Sequence, residues 1–275
     1  MIFSCGKYRL DLSHPAVMGI VNVTPDSFSD GGKFSTTDDA IAHGLALIAQ
    51  GAAILDVGGE STRPGATPVA LEAELRRVIP VIEGLSAQTH IPISIDTYKP
   101  EVMRAAIAAG ASIVNDVFAL QQPGALEAVA ASDAGVCLMH SQGTPQTMQS
   151  DPQYRDVVRE VADFLRVRMA AAETAGIPRA RILLDPGFGF GKRSMHNIAL
   201  LRELPSLCAL GPPLLVGLSR KSVLGRITGN DVNARLHSSI AAAVIAAMKG
   251  ARILRVHDVE ATVEALRIVT AMEGP

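Results

Sequence analysis

The stretch Leu183-Leu184-Asp185-Pro186-Gly187-Phe188-Gly189-Phe190-Gly191-Lys192 sets a carboxylate directly after an apolar run, then alternates three glycines with two aromatic rings. Proline cannot donate to a central ladder, so the strand that opens at Ile182 stops at Asp185. Glycines at alternate positions let the backbone pass close to a ligand while the rings flank it. An isolated Asp-Pro-Gly is read equally well as a tight strand-to-helix turn with a capping acid. This kind of ending recurs along the chain, however. Apolar runs lead into Asn22-Val23-Thr24-Pro25-Asp26-Ser27-Phe28-Ser29-Asp30-Gly31-Gly32, Asp56-Val57-Gly58-Gly59-Glu60-Ser61-Thr62-Arg63-Pro64-Gly65, Asp96-Thr97, Asn115-Asp116, Met139-His140, Ser219-Arg220-Lys221-Ser222 and Arg255-Val256-His257-Asp258. Asp96, Asp116 or Asp258 alone would be an ordinary helix cap. Eight polar endings gathered on one rim exceed what capping needs.

The residue types in that set are complementary. Asp96, Asn115 and Asp185 offer a planar group of acceptors and donors suited to the edge of a nitrogen heterocycle. Arg63, Lys221, Arg255 and His257 bring the opposite charge, and beside the amides of glycine loops they suit phosphate oxygens. A phosphorylated heterocycle is the ligand class this combination predicts. Competing motifs fail. Gly187 to Lys192 breaks the phosphate-loop pattern, because Pro186 stands where the first glycine is required and Arg193 follows Lys192. No G-x-G-x-x-G follows the first strand, and neither His-Glu-x-x-His nor paired Cys-x-x-Cys occurs. His14, His43, His90, His196 and His237 fall in loops or on helices away from the strand ends, where solvated or capping roles are the expectation.

Those endings need a scaffold that brings them to one face. Eight short apolar runs recur: Val17 to Val23, Ile54 to Val57, Ile93 to Ile95, Ile113 to Val114, Val136 to Met139, Ile182 to Leu184, Leu214 to Val216 and Ile253 to Val256. Helical stretches lie between and after them, around Asp38 to Ala49, Leu71 to Leu85, Pro100 to Ala109, Ala125 to Ala131, Val157 to Ala175, Ile198 to Leu204, His237 to Lys249 and Val259 to Met272. Gly51, Gly110, Gly176 and Gly250 close helices just before the next strand. Continuous apolar runs alternating with helices imply parallel strands buried on both faces. The pattern predicts an α/β fold, a single (β/α)8 TIM barrel, with a doubly wound open sheet as the alternative. Ile2 to Leu12, turning at Gly6-Lys7, reads as a short N-terminal hairpin placed within residues 1–14 to close the barrel bottom. No linker or composition shift marks a second domain, so residues 1–275 are expected to form one.

Composition fits a small-ligand protein. A net charge of -2 over 275 residues, without a basic or acidic block, argues against nucleic-acid or membrane-surface binding. The most apolar helical stretch, Ile240 to Met248, falls short of the roughly 20 residues a bilayer span needs. Cys5, Cys137 and Cys208 are odd in number and widely spaced, which predicts reduced thiols and a reducing compartment. The start shows no long apolar segment or small-residue cleavage site, so the expected location is cytoplasmic.

Taken together, Met18 to Gly32, Asp56 to Gly65, Ile95-Asp96-Thr97, Asn115-Asp116, Leu138-Met139-His140, Leu184 to Lys192, Ser219-Arg220-Lys221-Ser222 and Arg255-Val256-His257-Asp258 resemble the dihydropteroate synthase family of pterin-binding enzymes, over nearly the whole chain. The resemblance implies a TIM barrel, commonly a homodimer. The implied activity is a transfer in folate biosynthesis that joins 6-hydroxymethyl-7,8-dihydropterin diphosphate to 4-aminobenzoate with Mg2+ as cofactor, and it makes the protein a sulfonamide target. It implies that Asp96, Asn115, Asp185 and Lys221 hold the pterin, with Met139 and Arg255 against its faces, and that Asn22 reaches the metal. Thr62, Arg63, Arg255 and His257 would hold the diphosphate, and Phe28, Pro64, Phe190, Lys221 and Ser222 would frame the aminobenzoate; the catalytic set would be Lys221, Arg255, His257 and Asp96. One departure is visible: Val117-Phe118-Ala119 stands where many members carry Ile-Arg, which predicts a changed rim with pterin recognition intact. A pterin-binding methyltransferase would share the barrel and the acids without needing Arg63, His257 or Phe190. A silent binding or scaffold paralogue would be expected to lack a loop-one or loop-two motif, and both are present.

Overall fold

The computed structural model describes residues 1–23, 36–62, 65–144 and 146–273. The first strands, β1 (Ile2–Cys5) and β2 (Tyr8–Asp11), form an antiparallel hairpin that turns at Gly6. Eight parallel strands follow: β3 (Ala16–Asn22), β4 (Ile54–Gly58), β5 (Ile93–Asp96), β6 (Ile113–Asp116), β7 (Gly135–Met139), β8 (Ile182–Asp185), β9 (Leu215–Val216) and β10 (Ile253–Val256). They pair in the order β8-β7-β6-β5-β4-β3-β10-β9. A parallel bridge between Leu184 and Leu214, supported by Leu184 N–H donating to the Pro213 carbonyl at 3.1 Å, joins the two ends into a barrel. All eight apolar runs are strands, buried on both faces as their unbroken apolar character requires.

The helices form the outer ring: α1 (Thr36–Ala49), α2 (Leu71–Ser86), α3 (Pro100–Ala108), α4 (Ala125–Ala130), α5 (Val157–Thr174), α6 (Ser194–Arg202), α7 (Leu204–Cys208), α8 (Ser222–Thr228), α9 (Leu236–Met248) and α10 (Val259–Glu273). In α2 the buried residues Val78, Val81, Ile82 and Leu85 recur at helical spacing and face the sheet. Asp156 starts α5 by accepting from Val158 N–H and Arg159 N–H, both at 3.1 Å. Gly51, Gly110, Gly176 and Gly250 take the positive φ of helix-closing residues, 92–115°. Two details depart from the sequence reading. The helix expected at Ile198 to Leu204 is two helices, because Pro205 cannot continue an α-helix begun upstream. The seven-residue α8 was not expected, being too short to show a period, and it is bounded by Lys221 and by Gly229 at φ 76°.

One apolar cluster lies between sheet and helices, and a second fills the lower end of the barrel. The second joins Phe3, Cys5 and Leu12 of the hairpin segment to Met18, Ile54, Ile113, Cys137, Leu183, Leu215 and Ile253, residues near the strands' amino ends. Gly135 has no side chain because Phe3 occupies its place: a Cβ there would lie 2.5 Å from the ring.

Candidate active site

Inward-facing residues alternate along a strand, so a residue in the lower apolar layer is followed two positions later by one at the upper end. Ile54 is followed by Asp56, Ile113 by Asn115, Cys137 by Met139, Leu183 by Asp185 and Ile253 by Arg255. Five strands that begin in oil thus end, one layer higher, in a mostly polar set.

Arg255 organises one half of that set. Its Nε donates to Asp56 Oδ2 at 2.5 Å, and its Nη2 donates to Asp96 Oδ2 at 2.7 Å. Asn115 Nδ2 donates to the same Asp56 oxygen at 3.1 Å. Asp56 Oδ1 and Asp96 Oδ1 are buried and have no hydrogen-bond partner among the described residues. An unpaired buried carboxylate oxygen costs free energy that a ligand with donors can recover. Burial pushes the Asp96 carboxyl up to about 7; Arg255 opposes the shift, and the Asp56, Glu74 and Asp116 carboxylates add to it. Burial disfavours the Arg255 charge, but Asp56 and Asp96 outweigh it and raise the guanidinium above its ordinary range. The group therefore holds one firm cation and a carboxyl that can carry a proton near neutrality.

Asp185 organises the other half. Its Oδ1 accepts from Gly187 N–H at 2.7 Å, and its backbone carbonyl accepts from His140 N–H at 3.0 Å. Burial raises the Asp185 pKa against the pull of Lys221, the Gly187 bond, Lys192 and Arg255. The ammonium of Lys221 donates to the Phe188 carbonyl and lies 4.7 Å from the centre of the Phe190 ring. Burial lowers Lys221 to about 8, with Asp185 and Asp96 opposing and Arg255 assisting. Met139 is buried in register with Asp185. Gly187 (φ 69°) must be glycine, since a Cβ there would lie 1.8 Å from the His140 carbonyl oxygen.

The remaining candidates sit around the rim. Asn22 ends β3 half-buried, in a cross-strand row that continues through Gly58 and Asp96 to Asn115. Thr62 is half-buried and Ser222 exposed at the start of α8. Phe28, Arg63 and Pro64 lie outside the described residues. The root of loop two is anchored by Lys99, which bonds Glu60 and, at 2.5 Å, Glu74; Thr97 donates to Glu74 at 2.7 Å and Tyr98 to Glu60 at 3.0 Å. His257 Nδ1 lies 3.0 Å from Ser219 Oγ, which also accepts from His257 N–H at 3.2 Å. The hydroxyl thus engages both the backbone and the ring of His257, and its second lone pair or its own proton can serve the Nδ1 contact according to the tautomer. Arg220, at φ 59°, grips Asp258 with two nitrogens at 3.0 and 2.5 Å and ties loop seven to loop eight. Asp116 caps no helix; it braces the turn that follows β6, accepting from Phe118 N–H at 2.8 Å and Leu120 N–H at 2.7 Å.

Three features escaped the sequence reading. Asp56 was visible only as part of a strand's ending; an acid two positions after Ile54 in a buried run was the available signal. The Ser219–His257 pair joins two loops and leaves no local signature. The third is Lys192, buried against His140, where the motif's lysine had served only to exclude a phosphate loop. At the departure from the family pattern, Phe118 meets Tyr98 edge-on at 5.2 Å and lines a cavity of 130 Å³ with Glu60, Ala66, Pro68, Thr144 and Gln146.

A family profile described as pterin binding enzyme matches residues 18–257. Dihydropteroate synthase of Escherichia coli K12 is 55% identical over 262 residues, which cover 95% of this chain and 93% of that protein. The chain belongs to the dihydropteroate synthases among the pterin-binding enzymes. Solved members of the family superpose closely. The Xanthomonas albilineans dihydropteroate synthase with 4-aminobenzoic acid is 57% identical, with a TM-score of 0.95 and coverage of 100% of this chain and 98% of that one. The same enzyme in complex with 7,8-dihydropteroate gives 54% and 0.92, with both chains fully covered. The Yersinia pestis dihydropteroate synthase with a sulfonamide drug complex gives 48% and 0.95, again over the whole of both chains.

Proposed function

We infer that the protein is a transferase of folate biosynthesis that condenses 6-hydroxymethyl-7,8-dihydropterin diphosphate with 4-aminobenzoate to give 7,8-dihydropteroate and diphosphate. The observation that carries this is the full-length match to a family member solved with 7,8-dihydropteroate, the product of that reaction. In our reading residues 1–275 act as one barrel domain whose hairpin closes the bottom.

Asp96, Asn115 and Asp185 hold the pterin edge, joined by Asp56, and Met139 and Arg255 lie against its faces. The unpartnered Oδ1 atoms of Asp56 and Asp96 support this, since a ring edge rich in N–H groups supplies the missing donors. Thr62, Arg63, Arg255 and His257 hold the diphosphate, with the His257 ring oriented by Ser219. Phe28, Pro64, Phe190, Lys221 and Ser222 frame the aminobenzoate, and the Lys221 ammonium, next to the Phe190 ring, supplies charge for its carboxylate. Sulfonamides, sharing the aniline ring, compete there.

Among the described residues no group of three His, Cys, Asp or Glu side chains could hold a metal ion. Asn22 offers one carboxamide oxygen beside the pterin row, which suits a Mg2+ that keeps its waters and arrives on the substrate's diphosphate. Held there, the ion would supply positive charge to neutralise the leaving group.

The chemistry we propose is direct displacement. The amine nitrogen of 4-aminobenzoate bonds to the pterin methylene carbon, the carbon–oxygen bond to diphosphate breaks, and the spare amine proton passes to solvent. Arg255 and His257 stabilise the departing charge. Ser219, 7% exposed, is engaged by both the imidazole and the backbone N–H of His257, so it orients that ring and is no nucleophile.

The homodimer is also a proposal. Ile245 and Met248 of α9 and Ile268 and Met272 of the adjacent α10 are 44–73% exposed, an apolar face that a second copy would cover. We place the protein in the cytoplasm, in keeping with the buried, disulfide-free thiols of Cys5 and Cys137. No described helix is long and apolar enough to cross a membrane.

The test is to incubate the purified protein with both substrates and Mg2+ and to follow 7,8-dihydropteroate and diphosphate. Equimolar appearance of the two is expected. Absence of both, from a protein that still binds pterin, would overturn the reading.

A further inference from the structure

Lys192 is 2% exposed, and its ammonium is enclosed by oxygen and nitrogen acceptors. Its Nζ reaches the Gly187 carbonyl at 2.9 Å, the Phe190 carbonyl at 3.0 Å, the His140 carbonyl at 3.3 Å and His140 Nδ1 at 2.9 Å. Burial pushes the Lys192 pKa well below the ordinary lysine value, with Lys221 assisting and Asp185 opposing; in the charged form its three protons are shared among the three carbonyls and the imidazole nitrogen. Burial and the neighbouring Lys192 push the His140 pKa down to about 3, so its imidazole is neutral, and with Lys192 as the donor its proton sits on Nε2.

Two of these carbonyls belong to the loop between β8 and α6, the segment that presents the Phe188 carbonyl and the Phe190 ring to Lys221. The third, with the imidazole, belongs to the residue that follows β7. Lys192 thus clamps loop six to loop five. The rest of loop six has lighter ties: Gln149 donates to the Gly189 carbonyl at 2.5 Å, Tyr154 to the Gly191 carbonyl at 2.8 Å, and Gly189 N–H donates to Asn197 at 2.7 Å. Asp185, by contrast, is already fixed by the β7 ladder through His140 N–H. Loss of the clamp should therefore loosen the Phe188 to Phe190 wall more than the acid beneath it.

We propose that Lys192, seated in the His140 cage, is a positioning residue that sets the Phe190 and Lys221 wall of the 4-aminobenzoate subsite without touching either substrate. This rests on the site reading given under the proposed function.

Lys192→Met preserves length and burial while removing the donors. Its KM for 4-aminobenzoate should rise about tenfold or more, with the KM for dihydropterin diphosphate changed by less than about threefold. His140→Leu, which removes one acceptor and keeps the lysine, should move the same KM by about threefold or more, and His140→Asn, which restores an acceptor near Nδ1, should return it toward the wild-type value. Wild-type kinetics in Lys192→Met, or equal KM increases for both substrates, would overturn the proposal; so would His140→Asn behaving like His140→Leu. If Lys192→Met does not fold, the two His140 variants decide the matter alone. A second readout is independent of turnover. The chain has no tryptophan, so Phe190→Trp makes a single reporter. Acrylamide quenching of that reporter should increase when His140→Leu is added, and unchanged quenching would contradict the clamp. A wild-type protein that forms no dihydropteroate would refute the functional reading while leaving this fluorescence result to stand or fall separately.

Discussion

The two ends of the barrel are built from the same strands and obey opposite rules. At the lower end Ile54, Ile113, Cys137, Leu183 and Ile253 meet Phe3, Cys5 and Leu12 in a dry layer with little exposed surface. Two residues further along, Asp56, Asn115, Met139, Asp185 and Arg255 occupy the equivalent positions, and among the described residues Asp56 Oδ1 and the neighbouring Asp96 Oδ1 are buried without partners. The lower layer lowers free energy in the folded protein alone, by removing apolar area from water. The upper layer carries desolvation costs that its own ion pairs and hydrogen bonds offset in part and that a ligand rich in donors would offset further. The comparison assigns stability to one end and recognition to the other, and substitutions at each should separate the two properties.

The largest effect is expected at the bottom. Phe3→Ala opens a cavity against Gly135 and should destabilise the fold by about 3 to 5 kcal/mol. Denaturant unfolding should record that loss while the KM values of the surviving folded enzyme stay near wild type. A changed pterin KM with unchanged stability would erase the proposed division.

Asp185→Asn tests the top. Replacing the carboxylate should leave the ladder bond and the fold intact but weaken the proposed charge-assisted contact to the pterin, at a cost of about 2 to 5 kcal/mol of binding. Calorimetric titration with dihydropterin diphosphate should show that loss together with a wild-type unfolding midpoint. Wild-type affinity would remove Asp185 from the pterin site.

A smaller effect follows from Lys221. Its ammonium is charged below about pH 8 and neutral above it, so kcat/KM for 4-aminobenzoate should decline by about tenfold per pH unit beyond that point. Lys221→Arg should abolish that alkaline limb, since a guanidinium keeps its charge. A limb at the same pH in the arginine variant would assign it to another group.

The smallest effect concerns Asp96. Its folded pKa of about 7 stands above the ordinary 3.8, so the fold favours the protonated form. The stabilising contribution is fully present below about pH 4 and is lost as pH rises through about 7. Asp96→Asn lacks this titration, so its melting temperature relative to wild type should improve from pH 5 to pH 8. A gap that stays constant across that range would show that burial does not dominate at Asp96.

The barrel was legible because each strand, covered on both faces, must be apolar throughout, and because the helix-closing glycines marked where each cycle ended. Asp96, Asn115, Asp185, Lys221 and Arg255 were legible for a related reason, as polar residues where an apolar run stops. Short elements were not: α8 spans too few residues to show a period, and the break before α7 depended on Pro205. Pairings between distant strands were also hidden. Arg255 reaches Asp56 across β3, a relation of 199 positions that no local spacing encodes. The Ser219–His257 bond and the Lys192 cage belong to the same class, since each closes only after two loops are brought together by the barrel.

The most direct test of the central claim is a crystal structure of this protein with 7,8-dihydropteroate bound. The account predicts the pterin edge against Asp56, Asp96, Asn115 and Asp185, with the aminobenzoyl ring beside Phe190 and its carboxylate toward Lys221 and Ser222. A pterin bound elsewhere, with Asp56 Oδ1 and Asp96 Oδ1 still unpartnered, would contradict it.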